Sequence, residues 1–139
     1  MRDQYTGDIS DFLKYALLRA ISRDDRKLGV AWYYNNDRDK RPDGRHIDYI
    51  LEERWRAVDE RLWQELNKFY AEFRKNPDHR TVKNIERLRI WPAGTIFHGT
   101  NSDESVPRFL KNRPDWVNSM TERLDACEIF FLIRTTAFT

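Results

Sequence analysis

Glycine and proline are scarce in this chain, five of each in 139 residues, and there is a single cysteine, Cys127. One thiol excludes an internal disulfide framework and any zinc site built on cysteines, and it fits a reducing cytosol. Cys127 itself is expected to be a small buried apolar residue. Long apolar runs are missing as well: none approaches the roughly 18 residues of a membrane span, and the opening "MRDQYTGDIS" has no apolar segment of a secretion signal. Nor is there an excess of one charge, since 25 basic residues face 23 acidic ones for a net +2. No long-range field then draws the chain to nucleic acid, and an acidic mimic of DNA is excluded. These absences predict a soluble, cytoplasmic protein with no membrane partner.

What the chain has in quantity is aromatic side chains, 14% of the residues. They argue against disorder despite a charged fraction of 35%. The length predicts one domain, residues 1–139, able to bury a core without a covalent or metal staple.

In "GDISDFLKYALLRAISRDDRK", Asp8 or Ser10 is placed to cap a helix along which Leu13, Leu17 and Ile21 recur at helical spacing. "KLGVAWYY" is β-branched and aromatic without that spacing, so Leu28 to Tyr34 is expected as a central buried strand. The turn-forming "NNDRDKRPDGRH" leaves the sheet as a loop with its tip at Pro42-Asp43-Gly44. A short helical piece around Ile47 to Leu51 follows. A long helix then starts at Asp59, with Leu62, Leu66, Phe69 and Phe73 in one stripe and Trp63 and Tyr70 beside it, and stops at Asn76-Pro77. Asp78 is expected to cap a further helix carrying Val82, Ile85 and Leu88. Ile90-Trp91 and Thr95 to His98 read as short strands, "TNSDESVPRFL" as a cap and short helix, and Pro114 as the first turn of a helix with Trp116, Val117, Met120 and Leu124 on one face. Glu128 to Leu132 closes the series as an apolar strand. Strand, helices, strand, helices, strand is the pattern of an α/β fold with a mostly parallel sheet flanked by helices, Rossmann-like.

Several clusters admit a functional and a plainer reading. His46, His79 and His98 lack metal-ligand spacing, and the carboxylates Asp37, Asp39, Asp43 and Asp48 alternate with cations that would oppose a metal ion. Arg80, Lys83, Arg87 and Arg89 with Trp91 read either as an RNA-binding face or, more simply, as the wet side of a helix. Trp55, Trp63, Phe69, Tyr70 and Phe73 are chiefly core by periodicity, but any of them left exposed would call for a protein partner or a second copy of the chain.

The start "YTGDISDFLKY", the strand "LGVAWYY" and the later "DGRHIDYI" resemble an uncharacterised family of bacterial and phage proteins. That family is itself similar to S-adenosylmethionine-dependent ribosomal-RNA adenine-N6 methyltransferases, which open with His-Ala-Gly-Asn-x-Ala-Asp-x-x-Lys-His. Gly7, Asp11 and Lys14 match this pattern; Tyr5 and Tyr15 replace histidines, and Asp8 replaces the asparagine. The resemblance implies that Tyr5, Gly7, Asp11, Lys14 and His46 are the remnant of a cofactor site. The plainer reading of Asp8, Asp11 and Lys14 is a helix cap with a surface ion pair. Two features depart from the family. The glycine-rich turn after the first strand has no counterpart, only the late Gly44. After "CEIFFL", where longer relatives look like "CDLVFLDPDNG" and the enzymes carry an Asp-Pro-Pro-Tyr type motif that holds the target base, this chain reads "IRTTAF". Those residues can be encoded by ATC CGG ACA ACG GCT TTC, which one base earlier reads Asp-Pro-Asp-Asn-Gly-Phe. We therefore expect a frameshift at Leu132 and a truncated fold.

With the acceptor-base motif missing, the expected function is a non-catalytic protein-binding module without cofactor. It would derive from a methyltransferase-like ancestor and act as a mobile-element inhibitor of a host nucleoprotein defence complex. Trp55, Trp63, Tyr70, Arg87 and Trp91 are its expected anchors for a protein partner or homo-oligomer. The alternative is a nucleic-acid methyltransferase fragment that still binds S-adenosylmethionine.

Overall fold

The structure is a computed structural model and describes residues 2–22, 26–34, 46–100 and 113–133. The expected loop at 35–45, the short helix within 101–112 and the segment after Ile133 lie outside the described residues. Length leads to an expectation of one domain; the chain gathers more finely, into two compact units that each draw on separated stretches.

The first unit contains the described residues of 22–38 and 92–139 and holds a three-stranded sheet. β1 (Leu28–Trp32) is buried at every position and central, as its unbroken apolar sequence predicts for a strand covered on both faces. β2 (Ile96–His98) lies on one side of it and β3 (Ile129–Ile133) on the other, both parallel to it, so the α/β class and the parallel sheet are as expected. The registers set Val30 opposite Phe97 and Phe131. Ile90-Trp91 forms no strand; it lies in a turn, with Ile90 buried. α4 (Arg113–Leu124) packs Trp116 and Leu124 on Ala31, with Tyr33, Ile96, Met120 and Cys127 around them. Cys127 is half-buried and not fully enclosed, and burial pushes its thiol above the usual range. Gly29 makes room there: a Cβ would lie 3.0 Å from both Cys127 Sγ and Leu124 Cδ2.

The second unit contains the described residues of 3–21 and 39–91 and is helical. α1 (Ile9–Ile21) forms where expected, but it buries a different face. Phe12, Tyr15 and Leu18 are fully buried, each such side chain contributing about 1.5–3 kcal/mol, whereas Leu13, Leu17 and Ile21 are 48%, 52% and 39% exposed. The sequence offers α1 two apolar stripes one residue apart, and the ring-bearing one wins because Phe12 meets Tyr49 and Trp55 and Tyr15 meets Trp91. α2 (Glu60–Lys75) is capped by Asp59, whose side chain accepts from the Leu62 amide, and it buries Leu62, Leu66, Phe69 and Tyr70. Thr81, not Asp78, caps α3 (Val82–Glu86) by accepting from the Asn84 amide, because a 3-10 turn at Pro77–His79 opened by Asn76 intervenes.

Asp59 has a second role. Its Oδ2 accepts from Arg19 Nε at 2.6 Å, and the same guanidinium donates to the Ile90 carbonyl, so α1, the start of α2 and the turn after α3 are held at one point. Asp59→Ala removes a cap, about 1 kcal/mol, and a charge-assisted bond, about 2 kcal/mol. Urea denaturation should show a loss of about 3 kcal/mol for Asp59→Ala, and roughly two-thirds of it for Asp59→Asn, which keeps the cap oxygen.

Candidate functional site

The residues aligned with the cofactor segment sit at the head of α1. Asp8 caps the helix: its Oδ1 accepts from the Asp11 amide at 3.0 Å and from Ser10 Oγ at 2.8 Å. Just before it, Gly7 turns the chain through φ +77°. The Gly7 amide donates to Asp11 Oδ2 at 3.0 Å, and its carbonyl accepts from Tyr49 Oη at 2.9 Å. A Cβ on Gly7 would lie 2.9 Å from Tyr70 Oη. Tyr15 Oη donates to Asp11 Oδ2 at 3.1 Å, and Lys14 Nζ reaches Oδ1 at 3.2 Å.

The helix cap and the i,i+3 ion pair of the plainer reading are both present, but the pair does not lie at the surface, since Asp11 is 1% exposed. Its position one residue before Phe12, on the buried edge of α1, puts it inside. Burial is the main influence on its carboxyl and raises it from 3.8 to about 6; Asp8 adds to the rise, while Lys14 and the Gly7 amide oppose it. Burial likewise raises the hydroxyls of Tyr15, Tyr49 and Tyr70 and keeps them neutral at ordinary pH. Both Asp11 oxygens are engaged by this chain's own donors. The arrangement ties the first turn to α1, and any ligand on Asp11 would have to displace Lys14, Tyr15 or the Gly7 amide.

Tyr5 is buried in the 3-10 turn Asp3–Tyr5, and its carbonyl accepts from the Asp8 amide at 3.2 Å. Tyr5, Gly7, Asp11 and Lys14 are thus brought together. His46 joins them through its backbone only, its carbonyl accepting from the Ile9 amide at 3.1 Å while the residue is exposed. Tyr49 was not singled out by its sequence context, and only its hydrogen bond to Gly7, 42 positions away, reveals its place in the cluster. Among the described residues no group of three or more His, Cys, Asp or Glu is placed to hold a metal ion.

The expected partner anchors divide. Tyr70 is 1% exposed and belongs to the core, because α2 turns it toward Gly7 and Tyr49. Trp91 is half-buried, its Nε1 donating to the Ile85 carbonyl at 2.9 Å. Lys83, Arg87 and Arg89 are exposed, but Arg80 turns inward to donate to the Thr6 carbonyl at 2.9 Å, so the basic face read for RNA is only partly at the surface. Trp55 and Trp63 are half-buried, with Arg54 Cζ 5.4 Å from the first ring and Arg56 Cζ 5.9 Å from the second. Both indole N–H groups are buried without an acceptor among the described residues. Flanking them on the chain, Leu51 and Val58 are 62% and 52% exposed. No sequence signal marked these two, since the 3-10 turns Asp48–Leu51 and Glu53–Ala57 that present them follow no helical period.

No family model, no curated protein and no solved structure matches the chain.

Proposed function

We propose that this chain is a non-catalytic protein-binding module that docks through the tryptophan and arginine surface of 51–63. The observation that carries this reading is the pair of half-buried rings, Trp55 and Trp63, each beneath a guanidinium and bordered by exposed Leu51 and Val58. Large single-residue contributions at protein interfaces are enriched in tryptophan and arginine, the first for its wide rigid apolar ring and the second for its planar, multiply donating guanidinium. A buried indole N–H without an acceptor costs about 1–3 kcal/mol, and turning the ring toward an acceptor on a partner relieves it.

The finer reading, a Rossmann-like fold of methyltransferase descent that inhibits a host nucleoprotein complex, is supported by the resemblance at Gly7, Asp11 and Lys14 and by the parallel sheet. The internal engagement of Asp11 favours binding over cofactor chemistry. A partner captured from host lysate and then purified should bind wild type, with Trp55→Ala and Trp63→Ala each weakening the isolated interaction about thirtyfold. Equal binding by both variants refutes the surface. Heat on titration with S-adenosylmethionine, lost in Lys14→Ala, replaces this reading with that of a methyltransferase fragment.

A further inference from the structure

Residues 3–8 lie against the head of α1 as a short strap. The 3-10 turn Asp3–Tyr5 opens it, Gly7 bends it into the helix at φ +77°, and Tyr5, Thr6 and Gly7 are buried. Two other segments hold it. The Val82 amide donates to Asp3 Oδ1 at 2.9 Å and Arg80 Nε to the Thr6 carbonyl at 2.9 Å, while Tyr49 Oη donates to the Gly7 carbonyl at 2.9 Å. On the α1 side the Gly7 amide donates to the Asp11 carboxyl at 3.0 Å.

The groups that face Asp11 come from every element around it: the carboxylate Asp8 at the cap, Lys14 and the Tyr15 hydroxyl on α1, Tyr49 from the turn Asp48–Leu51, Tyr70 from α2, and Arg80 ahead of α3. Lys14 is its ion-pair partner at 3.2 Å. A carboxyl enclosed in this way ionises at a cost that water would remove. Tyr15 and Tyr70 cannot move aside without taking the buried faces of α1 and α2 with them. The strap can, because it belongs to neither helix and is tied down by single hydrogen bonds from separate segments.

We propose that residues 3–8 are a proton-controlled strap, closed over neutral Asp11 and lifting about Gly7 more often once Asp11 is ionised, while α1, α2 and α3 stay folded. Lifting lets water hydrate the carboxylate, and the proton that Asp11 gives up passes to solvent. The closed state holds the carboxyl at about 6 and the open state returns it toward 3.8, so linkage makes the opening constant rise about tenfold from pH 5 to pH 7.5. The strap is independent of the tryptophan surface and does not require it.

The test is amide hydrogen exchange of the full chain across that pH range, corrected for the intrinsic rate at each pH. Gly7 and Val82 are the reporters, because the first amide is held by Asp11 and the second by Asp3, at opposite ends of the strap. Both should open as one event, with a constant about tenfold or more above that of Phe69 inside α2, and that constant should rise about tenfold with pH. Asp11→Asn should abolish the rise at both amides. Lys14→Met, which keeps the carboxyl and removes its ion-pair partner, should enlarge it. Exchange of Gly7 and Val82 only together with Phe69, a rise at Gly7 without one at Val82, or a rise that persists in Asp11→Asn would each overturn the proposal.

Discussion

Gly99→Ala is expected to destabilise the sheet unit by on the order of 4 kcal/mol, the sum of a strained backbone and a collision that cannot relax. Gly99 follows β2 at φ +102°, and a Cβ there would lie 2.2 Å from the Trp32 carbonyl oxygen. The obstacle is the backbone of the central strand, hydrogen-bonded within the sheet, so no side-chain rotation opens space. Gly94 provides an internal control: its φ is +77° but nothing lies within 4 Å of a Cβ, so Gly94→Ala carries the conformational cost alone, about 1 kcal/mol. Guanidinium denaturation of the two variants separates the contributions. Equal midpoints would mean that β1 and the turn after β2 do not approach as described.

The second large effect is a dependence of stability on pH that Asp11 imposes. Its carboxyl is raised from 3.8 to about 6 in the folded protein, burial being the first cause. Between those values the folded chain holds a proton that the unfolded chain has released, so the contribution of Asp11 is full below about pH 4 and falls as pH rises through about 6. The shift corresponds to a loss of about 3 kcal/mol between pH 4 and pH 7.5. Other carboxylates act in the opposite direction; Glu65, for example, is lowered, chiefly by its hydrogen bond with Lys68. The measurement is therefore the difference between wild type and Asp11→Asn across that range, in which those groups cancel. The difference should move by about 3 kcal/mol in favour of the variant as pH rises; parallel curves would show that the Asp11 carboxyl is unshifted.

Both predictions rest on contacts between residues far apart in the chain, which is where sequence reasoning stops. The elements themselves were legible because their signals are local. Asp59 before a helical stripe, Asn76-Pro77 after it, Pro114 in a first turn, and the unbroken apolar runs of β1 and β3 each act through neighbouring residues alone. The parallel α/β arrangement followed from the alternation of those elements. The candidate cluster was legible only in part. Gly7 and Lys14 each stand about one turn from Asp11, but Tyr49 and Tyr70 reach them from other segments.

The sequence by itself determined that α1, α2, α4 and the strands β1 and β3 form where they do to within a few residues, that the sheet is parallel, and that no disulfide framework supports it. Tertiary structure alone decided which stripe of α1 is buried, that Asp11 lies inside, that Tyr70 is core while Trp55 remains half-exposed, and that Gly99 has no room for a methyl group. Hydropathy cannot rank two apolar stripes one residue apart, since that choice depends on which rings arrive from distant segments. Nor can it price the Asp11 carboxylate, whose donors are local but whose burial is a property of the packed neighbourhood.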